Sequence, residues 1–131
     1  MDPQDVTHVQ NAIHNPDDPR HFMTVTPAGE DRSASIGGVE VARSSNAVAV
    51  KEVGGQIYDP MIYFPRDDVR MDLLTLSDRT TFCPIKGDTE YFDFQGEQGV
   101  VTHAAWSYIK MALGDELKHL IAFDPAQTTV L

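Results

Sequence analysis

The sequence predicts a mainly β domain, closer to a barrel or a sandwich than to any βαβ arrangement. Two observations carry this. Short apolar runs, alternating or rich in β-branched residues, recur along the 131 residues. Gly-Gly, proline and Asp-Pro signals punctuate them every several residues. Together they give one compact domain of about eight short strands with one or two short helices.

Residues 1–20 read as a polar arm with three or more acidic side chains and several prolines. Val6, Val9 and Ile13 recur at helical spacing, so a short helix is expected over residues 4–14. Such an arm can pack on its own domain or on a second copy, which makes it the expected route to a homo-oligomer. Residues 21–131 form the domain. Phe22, Thr24 and Thr26 alternate with Met23 and Val25 up to Pro27, giving the first strand. Residues 33–36 and 39–42 flank Gly37-Gly38, the signature of a two-residue hairpin whose turn needs positive φ angles. Residues 46–53 form a Val-rich strand and residues 61–64 a compact apolar one stopped by Pro65.

Asp67 then reads as a helix N-cap. Val69, Leu73 and Leu76 recur at roughly helical spacing, so a helix is expected over residues 68–74. Residues 90–94 alternate as Glu-Tyr-Phe-Asp-Phe, and Gly96 and Gly99 make the next turn. Residues 100–108 form a long strand. A helical turn capped by Asp115 is expected over residues 115–119. Residues 120–123 and 128–131 close the domain around Asp124-Pro125.

Composition narrows function. The net charge is −10. Binding a nucleic-acid backbone or an anionic membrane surface needs clustered Lys and Arg, so neither is an expected partner. No apolar run approaches the ~20 residues needed to cross a bilayer. Residues 1–20 lack the basic start and apolar centre of a signal peptide, so a cytoplasmic location is expected. One cysteine allows no internal disulfide and no Cys-rich zinc site. The five histidines are scattered. No metal and no cofactor is expected.

The segment Arg79-Thr80-Thr81-Phe82-Cys83-Pro84-Ile85-Lys86-Gly87 holds the single cysteine, with a lysine three residues on. A nearby cation lowers a thiol pKa and makes it a nucleophile, and Lys86 and Arg79 are candidates for that cation. The competing reading is a small buried thiol packed against Phe82 and Ile85, or a pocket-lining one. Lys86-Gly87 is not a P-loop, because Asp88 follows and a strand begins. Lys86 either holds an anionic group or pairs with a neighbour such as Asp68. On the strand 100–108, simple alternation puts Thr102, Ala104, Trp106 and Tyr108 on one face. His103, Ala105 and Ser107 take the other. Trp106 and Tyr108 either wall a ligand cavity or fill a β core. His103 with Cys83 is the one Cys/His pair available for covalent chemistry. Asp67 and Asp68 fit a helix start, or an acid beside Cys83 and Lys86.

These blocks together resemble the bacterial and fungal family known as domain of unknown function 427. The resemblance runs through Tyr63-Phe64-Pro65-Arg66-Asp67-Asp68-Val69, Leu73-Leu74, Thr80-Thr81-Phe82-Cys83-Pro84-Ile85-Lys86-Gly87, Tyr91-Phe92, Ala104-Ala105-Trp106-Ser107-Tyr108 and Ile121-Ala122-Phe123. It covers roughly residues 21–131. The resemblance implies a small β-tent domain, related in shape to methionine sulfoxide reductase B and to the thalidomide-binding fold of cereblon. The paired Cys-x-x-Cys zinc motifs of those folds are absent from this chain. The family is sometimes labelled nucleotidyltransferase-like, but this sequence has no Gly-Ser pair followed by paired metal-binding acids. Two positions depart from the family pattern. No proline follows Tyr108, and His103 stands where asparagine is common.

Three functions follow. The first is a small-molecule binding domain, its pocket walled by Tyr63, Trp106 and Tyr108, with Asp68, Arg79, Cys83 and Lys86 as polar contacts. The second is a cysteine-dependent enzyme using Cys83 with Lys86 or His103. The third is an interaction module in which the motif serves only the fold.

Overall fold

A computed structural model describes residues 12–15, 17–54, 58–83, 87–110 and 117–131. Among these residues the chain is built from antiparallel β-sheet. Its helical content is two three-residue 3-10 turns. The strands are β1 (Ala12–Asn15), β2 (Asp18–Pro27), β3 (Arg32–Ile36), β4 (Val39–Ser44), β5 (Val48–Val53) and β6 (Met61–Phe64). They continue as β7 (Leu74–Leu76), β8 (Phe82–Cys83), β9 (Gly87–Gly96), β10 (Gly99–Lys110), β11 (Ile121–Phe123) and β12 (Thr129–Val130). Nine form one sheet in the order β1-β2-β5-β6-β11-β10-β9-β7, with β8 also paired to β9. Strands β12-β3-β4 form a second, smaller sheet. The described strands do not close into a barrel.

Side-chain alternation splits the large sheet into two apolar faces. On one face Phe64, Phe92, Phe94, Ala105, Ile121 and Phe123 pack against Ala34, Ile36, Val41 and Ala42 of the small sheet. On the other, Met23, Val50, Tyr63, Tyr108, Leu117 and Ala122 form a second cluster, joined by Cys83 and Trp106. Strand β11 shows the alternation over three residues: Ile121 and Phe123 face the first cluster, Ala122 the second. The β3–β4 hairpin has the expected two-residue turn, Gly37 and Gly38 both at positive φ (57° and 82°) between paired Ile36 and Val39.

Tertiary pairing overrides the expected helices. Val69 lies extended and bridges Ala42 of β4, while the Arg70 N–H donates to the Val41 carbonyl at 2.7 Å. That pairing divides residues 66–73 into the two 3-10 turns, Arg66–Asp68 and Met71–Leu73. Asp67 lies inside the first turn, and Pro65 holds the cap position without a side-chain cap. Lys118 likewise bridges Tyr108 and the His119 N–H donates to the Tyr108 carbonyl at 2.9 Å, so residues 117–119 form a turn, not helix. Asp115 lies outside the described residues. The expected helix at 4–14 falls mostly outside them too. Its end, Ala12–Asn15, is a strand paired with β2, and Ile13 packs on the second cluster. Strand β2 starts at Asp18, within the segment read as an arm.

Strand β10 carries one irregularity with large consequences. Val101 pairs with Phe94 and Ala105 with Phe92, so residues 102–104 stand opposite Asp93 alone. The backbone of His103 turns left-handed, φ 52°, to absorb the extra residues. Its N–H leaves the strand ladder and donates instead to Asp93 Oδ1 at 2.9 Å. Asparagine is at ease in that conformation and β-branched residues are not. We expect His103→Asn to leave stability within about 0.5 kcal/mol and His103→Val to lower it by roughly 1–3 kcal/mol, read by urea unfolding.

Candidate functional site

The bulge redirects two side chains. Simple alternation places His103 with Ala105 and Ala104 with Trp106. Instead, Ala104 is fully buried in the first cluster, while His103 joins the Trp106 face. There the His103 ring meets Tyr91 edge-on with centroids 5.8 Å apart, and Tyr91 lies 6.2 Å from the Trp106 ring. The Arg79 guanidinium stands over the Tyr91 ring at 4.7 Å, with Nη1 3.4 Å from His103 Nδ1. These four side chains, with Thr102, Asp124 and Gln127, line a polar cleft of about 400 Å³.

A second cleft, about 340 Å³, adjoins it at Trp106. Its walls include Tyr63, Tyr108, Tyr58 and Met61, and its rim carries Glu52 and Asp59. Tyr63 and Tyr108 are buried with rings 6.4 Å apart. Burial holds the Tyr108 phenol well above its ordinary pKa, and the neighbouring Tyr63 adds to this.

The sequence-derived candidates are therefore partly brought together. Tyr63, Trp106 and Tyr108 share one cleft. Cys83 packs on the same apolar cluster, whereas Phe82, its strand neighbour, points away and is exposed. Arg79 lies on the other side of Trp106, with His103. Asp68 is apart from them: its carboxylate accepts a 2.6 Å hydrogen bond from Ser44 of β4. Lys86 lies outside the described residues. Cys83 and His103 do not meet. Cys83 pairs with Gly87 and His103 bonds to Asp93, six residues along β9, roughly 20 Å at strand rise. Among the described residues, no three His, Cys, Asp or Glu gather as a metal site. No described helix is long and apolar enough to cross a membrane.

The family motifs hold the framework in place. Tyr91 Oη, Thr81 Oγ1 and Thr89 Oγ1 form a hydroxyl chain with spacings of 3.2 and 2.7 Å, ending on the Thr81 carbonyl at 3.0 Å. The Thr81 N–H also donates to Thr89 Oγ1 at 2.8 Å. On the opposite face Arg66 Nη2 donates to Glu90 Oε1 and Ser107 Oγ, both at 3.1 Å, and Ser107 donates to the same Glu90 oxygen at 3.2 Å. Two motif blocks, 63–69 and 104–108, are thus tied through Glu90.

The match of a family model to residues 24–131 decides the kinship. The chain belongs to the family described as Domain of unknown function (DUF427). No curated protein matches it. In this DUF427 chain, three residues missed by sequence reasoning shape the site: Tyr91, Asp93 and Asp124. The alternation of residues 90–94 already put Tyr91 and Asp93 on one face. Their partners depend on a register that alternation does not reveal. A larger cleft of about 690 Å³ lies between the β3–β4 and β9–β10 turns. Its one arginine, Arg70, is already held bidentately by Asp72 at 2.9 and 2.8 Å, so it offers little for recognition.

Two measurements check this framework. Thr89 is buried, and Thr89→Val leaves the Thr81 N–H without its acceptor, so we expect a loss of about 1–3 kcal/mol in chemical denaturation. Tyr108 gives a pH signature. The fold favours its neutral phenol, so this contribution is complete below the ordinary value of 10.0 and is lost as pH rises above it. We expect a melting temperature that falls above about pH 10, and a shallower fall in Tyr108→Phe.

Proposed function

We propose that this chain is a small-molecule binding domain whose ligand lies along Trp106. The carrying observation is that one half-buried indole forms a wall of two adjoining clefts. Part of the ring is left uncovered beside concave surface, where it is available to stack on a ligand ring. Here one flank is polar, with Arg79, Tyr91 and His103, and the other is tyrosine-lined. Concave surface with aromatic walls and a few convergent polar groups is what small-ligand sites are made of. The reading keeps the β-tent shape implied by the family motifs. It seats the ligand on the face of the large sheet that the small sheet leaves uncovered.

This reading is favoured over covalent chemistry at Cys83. A nucleophilic thiol needs a base or cation within hydrogen-bond reach. Among the described residues, which leave out Lys86, Cys83 instead packs among apolar and aromatic side chains, with His103 six residues away along β9. It is favoured over a pure interaction module because the polar groups converge into a cleft instead of spreading over a flat surface.

Trp106 is the sole tryptophan, so its emission reports the site directly. In a screen of aromatic acids, amines and heterocycles, we expect binders to shift Trp106 emission and raise the melting temperature together. Trp106→Ala should weaken them about tenfold or more. A screen that changes neither signal at millimolar concentration overturns the reading.

A further inference from the structure

We infer that the ligand is a small aromatic anion, held by Arg79 at its charged end and by Trp106 and Tyr91 along its ring. This rests on the binding reading above and names its chemical class. The protein carries −10 overall, and carboxylates are abundant. Arg20, Arg32, Arg43, Arg66 and Arg70 each pair with one at 2.6–3.4 Å. Among the described residues Arg79 is the one arginine without a carboxylate partner, and its Nη1 meets only His103 Nδ1, at 3.4 Å.

Its placement favours such an acceptor. The Tyr91 ring holds the guanidinium face at 4.7 Å, and the backbone N–H of Arg79 is fixed by Ser77 Oγ at 3.1 Å. A stacked guanidinium keeps its edge N–H groups directed outward, and that fork matches a carboxylate or phosphate bidentately. The acids around the cleft are already engaged. Asp124 Oδ1 accepts from the Ala126 N–H at 3.0 Å and Oδ2 from Gln127 Nε2 at 2.8 Å. Asp93 accepts from the His103 N–H at 2.9 Å. They stabilise the turn and the bulge instead of neutralising Arg79. Beside this cation the walls are aromatic, and Trp106 continues past the polar cleft into the tyrosine-lined one. A charged end and a flat apolar body are the shape that this arrangement complements.

The test titrates the full chain with benzoate, phenyl phosphate, benzamide and inorganic phosphate, following Trp106 emission and calorimetric heat. We expect benzoate or phenyl phosphate to bind about tenfold or more tightly than benzamide, and inorganic phosphate to bind weakly. Arg79→Met should weaken benzoate and phenyl phosphate about tenfold or more, towards the affinity of benzamide, so that the preference over benzamide is lost. Arg79→Lys should keep part of it. Equal binding of benzoate and benzamide, or a preference that survives Arg79→Met, overturns the anionic class and leaves the binding face standing. Inorganic phosphate binding as tightly as phenyl phosphate overturns the aromatic class. Silence from all four probes overturns both this inference and the binding reading beneath it.

Discussion

The left-handed backbone of His103 sets which side chains the long strand β10 presents to each face. A strand alternates strictly, and a change at one residue would normally move every later side chain to the wrong face. The bulge avoids this because it adds two residues, an even number, opposite Asp93. Val101 and Ala105 stay in the first cluster, and Trp106 and Tyr108 stay on the second face. Only the residues inside the bulge change places. Ala104, which has no polar group to satisfy, goes into the core, and the His103 imidazole comes out beside Tyr91. The orphaned N–H of the bulge is met by Asp93, so the irregularity carries little hydrogen-bond penalty.

With the phase of β10 fixed, the two faces of the β9–β10 pair separate structural from exposed chemistry. Ser107 pairs with Glu90 across the strands, and Tyr91 with Trp106. The first pair turns towards Arg66 and is consumed by it: a fully buried hydroxyl, a carboxylate and a guanidinium satisfy one another. Such a group is stable only if every member is bonded, and removing one would strand the others. The second pair faces the clefts, where its aromatic surface remains partly uncovered. One strand pair therefore builds the framework on one side and leaves partly uncovered aromatic surface on the other.

Much of this was legible in the sequence, and the misses have physical causes. Alternation at Phe22–Thr26, Gly37-Gly38 between β-branched strands, and the long run ending at Tyr108 all mark strands because they are local patterns. It also placed Trp106 and Tyr108 on one face correctly. The helix expected at residues 68–74 failed because Val69 gains more from pairing with β4 than a short isolated helix can return. Strands β7 and β8, at three and two residues, are too short for any period to show. The Arg79–Tyr91–His103 grouping was invisible for a different reason. It depends on the β9–β10 register and on a bulge, and both are set by long-range pairing. The one local hint was residue 103 itself. Histidine, like the asparagine of the family pattern, tolerates left-handed backbone, so this backbone suits either residue.

The most specific motif residues are largely accounted for by the fold. Thr81 is bound into the hydroxyl chain, Arg66 and Ser107 join two motif blocks through Glu90, and Tyr63 and Tyr108 are buried against each other. A residue committed to internal bonds has little left with which to bind anything else. Subtracting those commitments leaves a short remainder on one face: the open flank of Trp106, the imidazole of His103 and the guanidinium of Arg79. Cys83, the residue that first draws attention, packs on the tyrosine cluster. The motif around it identifies the fold, and the side chains left over are Trp106 and His103, two strands away on β10, with Arg79 at the head of the same segment.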